Sequence, residues 1–291
     1  HIMKIVVYSH LQRGGARKIW DKLVEDIKKN VEIYDFSEKE NIIFKNFIQY
    51  LIYIYIILPK KQRLLAEEIK KIDFDVAIVS HHYLTKSPYL LRYIKNCLYI
   101  CHEEPREFYE DKKYLINSKR GEVVNLLRLP LKIIDKINVS YAKKIITNSE
   151  YSKNKLKNIY KKKIDIIKMP LLLQNQENNY IRENHFLTIG ATSIFKGIDF
   201  IVESISNLPN NYKYPLIVVG DRGRDYNYIL KLANKYNIKL IIYHNISEKK
   251  LIKLYKTSKL LLAAAHNEPF GLSLIEALSF QALSVIHFLL L

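Results

Sequence analysis

The residues best suited to chemistry lie near the end of the chain, in Asn267-Glu268-Pro269-Phe270-Gly271-Leu272-Ser273-Leu274-Ile275-Glu276-Ala277. Glu268 and Glu276 are separated by seven residues. Proline is tolerated in a first helical turn, so the segment predicts a helix starting near Pro269 and Phe270. Gly271 has no Cβ, which leaves room for a ligand to approach the backbone N–H groups there. The first N–H groups of a helix lack internal acceptors, and a helix start is therefore a good phosphate site. Over eight helical positions the chain rises about 12 Å. Two carboxylates that far apart cannot share one group, but they suit opposite ends of an elongated nucleotide sugar. Taken alone, the pair also reads as an ordinary exposed helix start with two acids.

Other reactive side chains are spread along the chain. Gly14-Gly15 follow an apolar run, His81-His82 follow the run FDVAIVS, and His102 stands in Cys101-His102-Glu103-Glu104-Pro105-Arg106. Lys196 lies in the glycine-bounded segment GATSIFKG, residues 190–197. His102 alone has a structural reading as good as a catalytic one.

The elements that must position these residues alternate. Apolar strand-like runs at 4–8, 31–36, 74–80, 98–101 and 144–147 are interspersed with amphipathic stretches at 16–30 and 64–72. The alternation restarts with strands at 186–189, 215–219, 240–243 and 260–264, and helices at 198–208, 226–236 and 248–257. Strands alternating with helices imply an α/β fold with parallel, doubly wound sheets. The polar stretch 174–184 (QNQENNYIREN) reads as part of a linker. The expected organisation is a Rossmann-like domain over 1–170, a linker over 171–184 and a second Rossmann-like domain over 185–291, with a cleft at the carboxyl ends of both sheets.

Composition narrows the class. At 291 residues and 48% hydrophobic content, the chain is globular. Its 47 Lys+Arg against 29 Asp+Glu give a formal charge of +18, which suits an anionic partner or a solvated basic surface. Zinc spacings and heptads are missing, so a DNA-binding module and a nucleic-acid partner have no support. Nothing in the sequence looks like a metal cluster. Cys97 and Cys101 share a face of one strand, too far apart to bond, and free buried thiols fit a reducing cytoplasm. His1-Ile2 before Met3 looks like a cloning remnant, and no signal peptide opens the chain. The apolar stretch 42–58 is too short and interrupted to span a bilayer, and a basic cluster at 60–63 follows it. It reads as a buried core helix or as an interfacial helix on an anionic bilayer. The basic run 143–168 reads as a solvated face or as an attraction for a lipid-borne acceptor.

The ordered set of these segments resembles retaining glycosyltransferases of the GT-B fold, specifically glycosyltransferase family 4 (glycosyl transferases group 1). The Glu268…Glu276 pair is similar to the family's Glu-x(7)-Glu motif, Gly14-Gly15 to its glycine loop, residues 101–106 to its histidine loop and residues 190–197 to its phosphate loop. The resemblance spans nearly the whole chain. It implies that Glu268 binds hydroxyls of the transferred sugar and that backbone N–H groups of Phe270, Gly271 and Leu272 cradle the sugar or diphosphate. Glu276 would bind the ribose, Lys196 would neutralise the leaving diphosphate, and His102 would lie beside the reacting carbon. It further implies a UDP- or GDP-sugar donor, a glycan, lipid-linked or protein acceptor, and no cofactor or obligatory metal. Two departures stand out. Ala191 occupies a position where the family usually has arginine, unless Arg222 or Arg224 substitutes, and Gln281 replaces a glycine before an apolar end that suggests a shortened second domain or oligomeric covering. These departures keep open a catalytically inactive nucleotide-sugar or glycan-binding protein, and a GT-B-type sugar-nucleotide epimerase is a third reading.

Overall fold

The structure is a computed structural model and describes residues 2–12, 14–39, 42–109, 126–127, 129–167, 180–280, 282 and 284–286. The chain divides into two compact units, residues 1–170 and 171–291. In the first, strands β1 (Lys4–His10), β2 (Glu32–Asp35), β3 (Val76–His82), β4 (Cys97–Ile100), β5 (Lys144–Thr147) and β6 (Ile164–Ile166) form one parallel sheet in the order β2-β1-β3-β4-β5-β6. Successive strand residues point to opposite faces. Val6, Tyr8, Ala77, Val79, Cys97, Tyr99, Cys101 and Ile145 therefore share one face and one buried cluster. The two cysteines are free and buried there.

Helix α1 (Gly15–Lys28) buries Ile19 and Trp20. The expected helix at 64–72 is the end of a longer one: α2 (Phe47–Ile52) passes through a π turn (Tyr53–Ile57) into α3 (Leu58–Ile69). Pro59 has no N–H and would interrupt a regular ladder. In the turn before it, the Leu58 N–H reaches back to the Tyr53 carbonyl, which opens the ladder at that point without ending the helix. Among the described residues the unit also holds a 3-10 turn (Tyr89–Arg92), the short α4 (Arg106–Tyr109), α5 (Leu129–Ser140) and α6 (Glu150–Tyr160).

Within the basic run at 143–168, Lys162 is not simply solvated. Its Nζ donates to the carbonyls of Val139 (3.3 Å), Ser140 (2.6 Å) and Ala142 (2.8 Å), at and just beyond the end of α5. A cation there satisfies orphan carbonyls and complements the helix dipole.

The second unit holds β7 (Glu183–Ile189), α7 (Ile198–Ser206), β8 (Leu216–Val219), α8 (Tyr226–Lys235), β9 (Leu240–Tyr243), α9 (Glu248–Thr257), β10 (Ser258–Ala263), α10 (Leu272–Ser279) and β11 (Ser284–Ile286). Its parallel sheet has the order β11-β10-β7-β8-β9. Helices α7 and α8 pack one face through Ile198, Ile201, Val202, Ile229 and Leu232. Helices α9 and α10 pack the other through Leu254, Tyr255, Leu274 and Ala277. Both faces are covered, as continuous apolar strands require. Residues 183–184, placed in the linker by their polarity, belong to β7, because Glu183 pairs with Ser258 of β10. The rest of the linker up to 179, and residues 287–291 of the apolar end, lie outside the described residues.

Candidate active site

Strand order decides which loops meet. In the second unit β7 and β10 are neighbours, and the chain leaves them toward α7 on one face and α10 on the other. That is a topological switch point, where open α/β sheets bind ligands beyond the carboxyl ends of the strands. The loop after β7 carries Lys196, and the loop after β10 carries Glu268. Their side chains meet as an ion pair, Lys196 Nζ to Glu268 Oε2, at 2.8 Å. Both are only partly buried, so a ligand has access to them.

Backbone contacts fix the lysine loop. The Lys196 stem lies against Gly190, where a Cβ would sit 3.0 Å from Lys196 Cγ. Residues 194–196 form a short 3-10 turn whose first N–H, on Ile194, donates to Asp225 Oδ2 at 3.0 Å. Thr192 donates its N–H to the Asp221 carbonyl (3.1 Å), and its hydroxyl accepts the Gly223 N–H (2.8 Å). These contacts brace the loop against the one following β8. Arg222 and Arg224 lie on that bracing loop, with the Arg222 guanidinium over the Tyr226 ring at 4.4 Å and Arg224 Nε 3.4 Å from Asp225 Oδ1.

The glutamate loop differs from expectation. Helix α10 starts at Leu272 rather than near Pro269, because Gly271 takes a left-handed conformation (φ 68°) and Asn267 does likewise (φ 50°). Only Glu276 of the two carboxylates is helical, so the 12 Å helical spacing does not describe the pair. Glu268 reaches forward, and its Oε1 accepts the Gly271 N–H at 3.4 Å. One of the three N–H groups assigned to the donor is therefore occupied by a carboxylate here, while Phe270 and Leu272 flank it. Glu276 is positioned by a residue that its spacing did not reveal: Tyr255 Oη donates to Glu276 Oε2 at 2.8 Å. Tyr255 is buried and stacks on Phe280, so the acceptor oxygen is held from below by a rigid ring. In sequence, Tyr255 is one more apolar position of an amphipathic helix.

The first unit supplies the remaining candidates. Gly14 precedes α1 as its N-cap residue (φ 151°), and Gly15 is the first helical residue. His102 follows β4 and is buried, and its backbone carbonyl accepts the Ser152 hydroxyl at 3.2 Å. Neither of its ring nitrogens meets a hydrogen-bonding partner among the described residues. A buried polar group left so is costly unless something else satisfies it. Burial also pulls the His102 imidazole down from 6.5 to about 4, so it is neutral at physiological pH. A neutral imidazole offers a ligand one donor and one acceptor.

Sequence spacing did not single out His10. β1 and β3 are neighbours at the first sheet's switch point, and His10 Nδ1 lies 3.1 Å from His82 Nε2. Glu38 Oε2 lies 3.8 Å from the same His10 nitrogen, and the three ligand-type atoms fall within 4.8 Å of one another. The Leu84 N–H donates to His82 Nδ1 at 3.3 Å. That leaves Nε2 as the protonated nitrogen, donating to His10 and offering no lone pair to a cation. The two histidines are thus hydrogen-bonded to each other, and Glu38 beside them accepts from Tyr8 Oη through Oε1 at 3.0 Å.

The depressed His102 makes a testable contribution to stability. The unfolded chain takes up a proton below pH 6.5 that folded His102 refuses down to about 4. Stability from this group is complete above 6.5 and is lost as pH falls toward 4. His102→Gln should lack that loss, so between the two ends of this window urea unfolding should show the wild type losing on the order of 3 kcal/mol more than the variant. Parallel pH curves for the two proteins would refute it.

Residues 172–287 match the family model of glycosyl transferases group 1. The second unit is a group 1 glycosyltransferase domain. By sequence alone no curated protein matches the chain. Among solved structures, sucrose-phosphate synthase from Thermosynechococcus elongatus superimposes with a TM-score of 0.69 at 16% identity, over 98% of this chain and 81% of that one. WaaG, a glycosyltransferase involved in lipopolysaccharide biosynthesis, gives 0.61 at 14% identity over 98% and 80%. An alpha-glucosyltransferase in complex with UDP gives 0.60 at 13% identity over the same shares. The fold is thus that of GT-B glycosyltransferases, and the Lys196–Glu268 pair lies inside the segment matched to the group 1 domain.

Proposed function

We propose that the chain transfers a hexose-type sugar from a UDP- or GDP-sugar to a glycan, lipid-linked or protein acceptor, with retention of configuration, in the cytoplasm or at the inner face of a membrane. The observation that carries this reading is the Lys196–Glu268 pair at the β7/β10 switch point, beside the first turn of α10. A nucleotide sugar brings groups that suit both members. The diphosphate takes the lysine ammonium and helix-start N–H groups, and the sugar hydroxyls donate to the glutamate that those groups now hold. Glu276, braced by Tyr255, takes the ribose hydroxyls. The solved alpha-glucosyltransferase that contains UDP supports a nucleotide donor.

In the transfer step the bond from the anomeric carbon to the diphosphate oxygen breaks, and negative charge grows on that oxygen. Lys196 stabilises it there, where preorganised charge is most effective. The acceptor hydroxyl forms the new bond on the same face and gives its proton to the departing phosphate. His102, neutral and with ring nitrogens to spend, orients the sugar or the acceptor hydroxyl.

A thermal-shift screen of nucleotide sugars tests the donor half, since a ligand bound only by the native state raises the melting temperature. One sugar nucleotide should shift the wild type by a few degrees. Glu268→Gln should then lower its turnover by about 10- to 100-fold, the worth of hydrogen bonds to a charged group. No shift with any donor, or full turnover in the variant, would remove this assignment. A shift without transfer to any acceptor would identify a binding protein, and an altered donor without acceptor an epimerase.

A further inference from the structure

The helix built from α2, the π turn and α3 is apolar on two sides. Its inner side is buried through Ile54, Leu58, Ala66 and Ile69. Surface helices normally turn a polar side to solvent. Here Ile48, Ile52, Ile56 and Leu64 face outward, with Ile48 at 68% and Ile56 at 64% exposure. A strict four-residue repeat creeps about 40° per step around a 3.6-residue helix. The π turn inserts an extra residue midway, which offsets the creep and keeps the outer row on one side.

Helix α5 repeats the pattern: Leu129, Ile133 and Ile137 recur every four residues and are exposed, Ile133 at 63%. Both helices cover the same face of the first sheet, since Ala66, Ile69 and Val139 join one buried cluster. Just before α5, the Leu127 carbonyl accepts from Tyr55 Oη of the π turn at 3.2 Å, and the 3-10 turn Tyr89–Arg92 packs against both α3 and α5. The two apolar rows thus belong to one layer of the first unit.

The charge around them is mainly positive, the acids of α3 being Glu67 and Glu68 in its last turn, where Glu67 pairs with Lys70. Residues 42–66 contain no acidic side chain but include Lys45, Lys60, Lys61 and Arg63. Residues 129–141 contain Lys132 and Lys136, and their single acid, Asp135, is buried against the hydroxyls of Tyr109 and Tyr160. Among these cations, Lys61 is paired with Glu38.

We propose that this two-helix face seats the protein on an anionic lipid bilayer, with the isoleucine rows in the headgroup boundary and the lysines and arginine on lipid phosphates. The proposal rests on the reading of an acceptor presented at a membrane surface, and it assigns the surface that reaches it. A second copy of the chain is a poorer occupant. An isologous contact would bring the same positive rim against itself, whereas anionic lipid neutralises it. No helix among the described residues is long and apolar enough to cross a membrane, so the seating is in the plane of the interface.

Flotation with vesicles of phosphatidylcholine alone, or mixed equally with phosphatidylglycerol, tests it on the whole chain. The wild type should float with the mixed vesicles only, and high salt should release it. Ile52→Ser/Ile56→Ser/Ile133→Ser should weaken binding about tenfold or more. Lys60→Glu/Arg63→Glu/Lys136→Glu should weaken it by more than about 100-fold. All six positions are exposed, and unchanged melting temperatures would show that both variants fold. Absence of flotation, or flotation indifferent to the serine substitutions, would overturn the proposal. So would a wild-type dimer in solution that the serine variant breaks, which would give the face to a second copy. The donor reading is scored separately. Both surface variants should keep the nucleotide-sugar melting shift, and Lys196→Ala should lose that shift while still floating.

Discussion

Lys196→Ala will lower kcat/KM for the sugar nucleotide by about 100- to 1000-fold, the cost of removing one preorganised group from a developing charge. The ammonium is held by a stem lying against Gly190 and by an ion pair to Glu268 at 2.8 Å. Without it, two effects combine. The leaving oxygen loses its cation, and Glu268 becomes an uncompensated carboxylate beside an anionic ligand. Because the two side chains touch, their effects should not add. Lys196→Ala/Glu268→Gln should be less impaired than the product of the single losses. Steady-state kinetics of the four proteins of this cycle, with the donor found by melting shift, give the answer. A loss of only a few-fold in Lys196→Ala, with additive behaviour in the pair, would take Lys196 out of the site. Ala191 sharpens the expectation, since the neighbouring loop's arginines are engaged with Tyr226 and Asp225.

Gly197→Ala will cost the second unit about 3–5 kcal/mol, near the upper end for single substitutions. Gly197 caps α7 with φ 65°, a left-handed conformation that costs other residues about 1–2 kcal/mol. A Cβ there would also stand 1.9 Å from the Ala264 carbonyl oxygen. Backbone does not yield as a flexible side chain does, so the loops after β7 and β10 would have to part. Those are the loops that bring Lys196 to Glu268. Gly14→Ala is the matched control. It too has positive φ, but a Cβ would meet nothing within 4 Å. It should cost about 1–3 kcal/mol from backbone strain alone. Urea unfolding of both variants separates the terms, and equal losses would show that the contact with Ala264 does not matter.

Much of the architecture was legible before any coordinates. Strands buried on both faces read as continuous apolar runs, as in LIVV of β8 and VAIVS of β3. Amphipathic helices show their period, and α9 begins and ends where its pattern predicts, with Ser247 capping through the Lys250 N–H. The start of α10 was misread because proline tolerates a first helical turn, while the left-handed Gly271 places that turn three residues later. The continuous α2–α3 helix was missed because Pro59 signals a break that a π turn can bypass.

By itself the sequence determined the element types, the two α/β alternations, the basic charge and the set of residue types able to handle a phosphate and a sugar. These depend on local periodicity and composition, which each segment carries within itself. Only the tertiary structure decided that Lys196 and Glu268, 72 residues apart, share an ion pair, that Tyr255 steadies Glu276, that His10 meets His82, and that isoleucines of two helices face outward together. Such meetings follow from strand order and from which side of a helix the core takes, and both are settled by packing between segments distant in the chain.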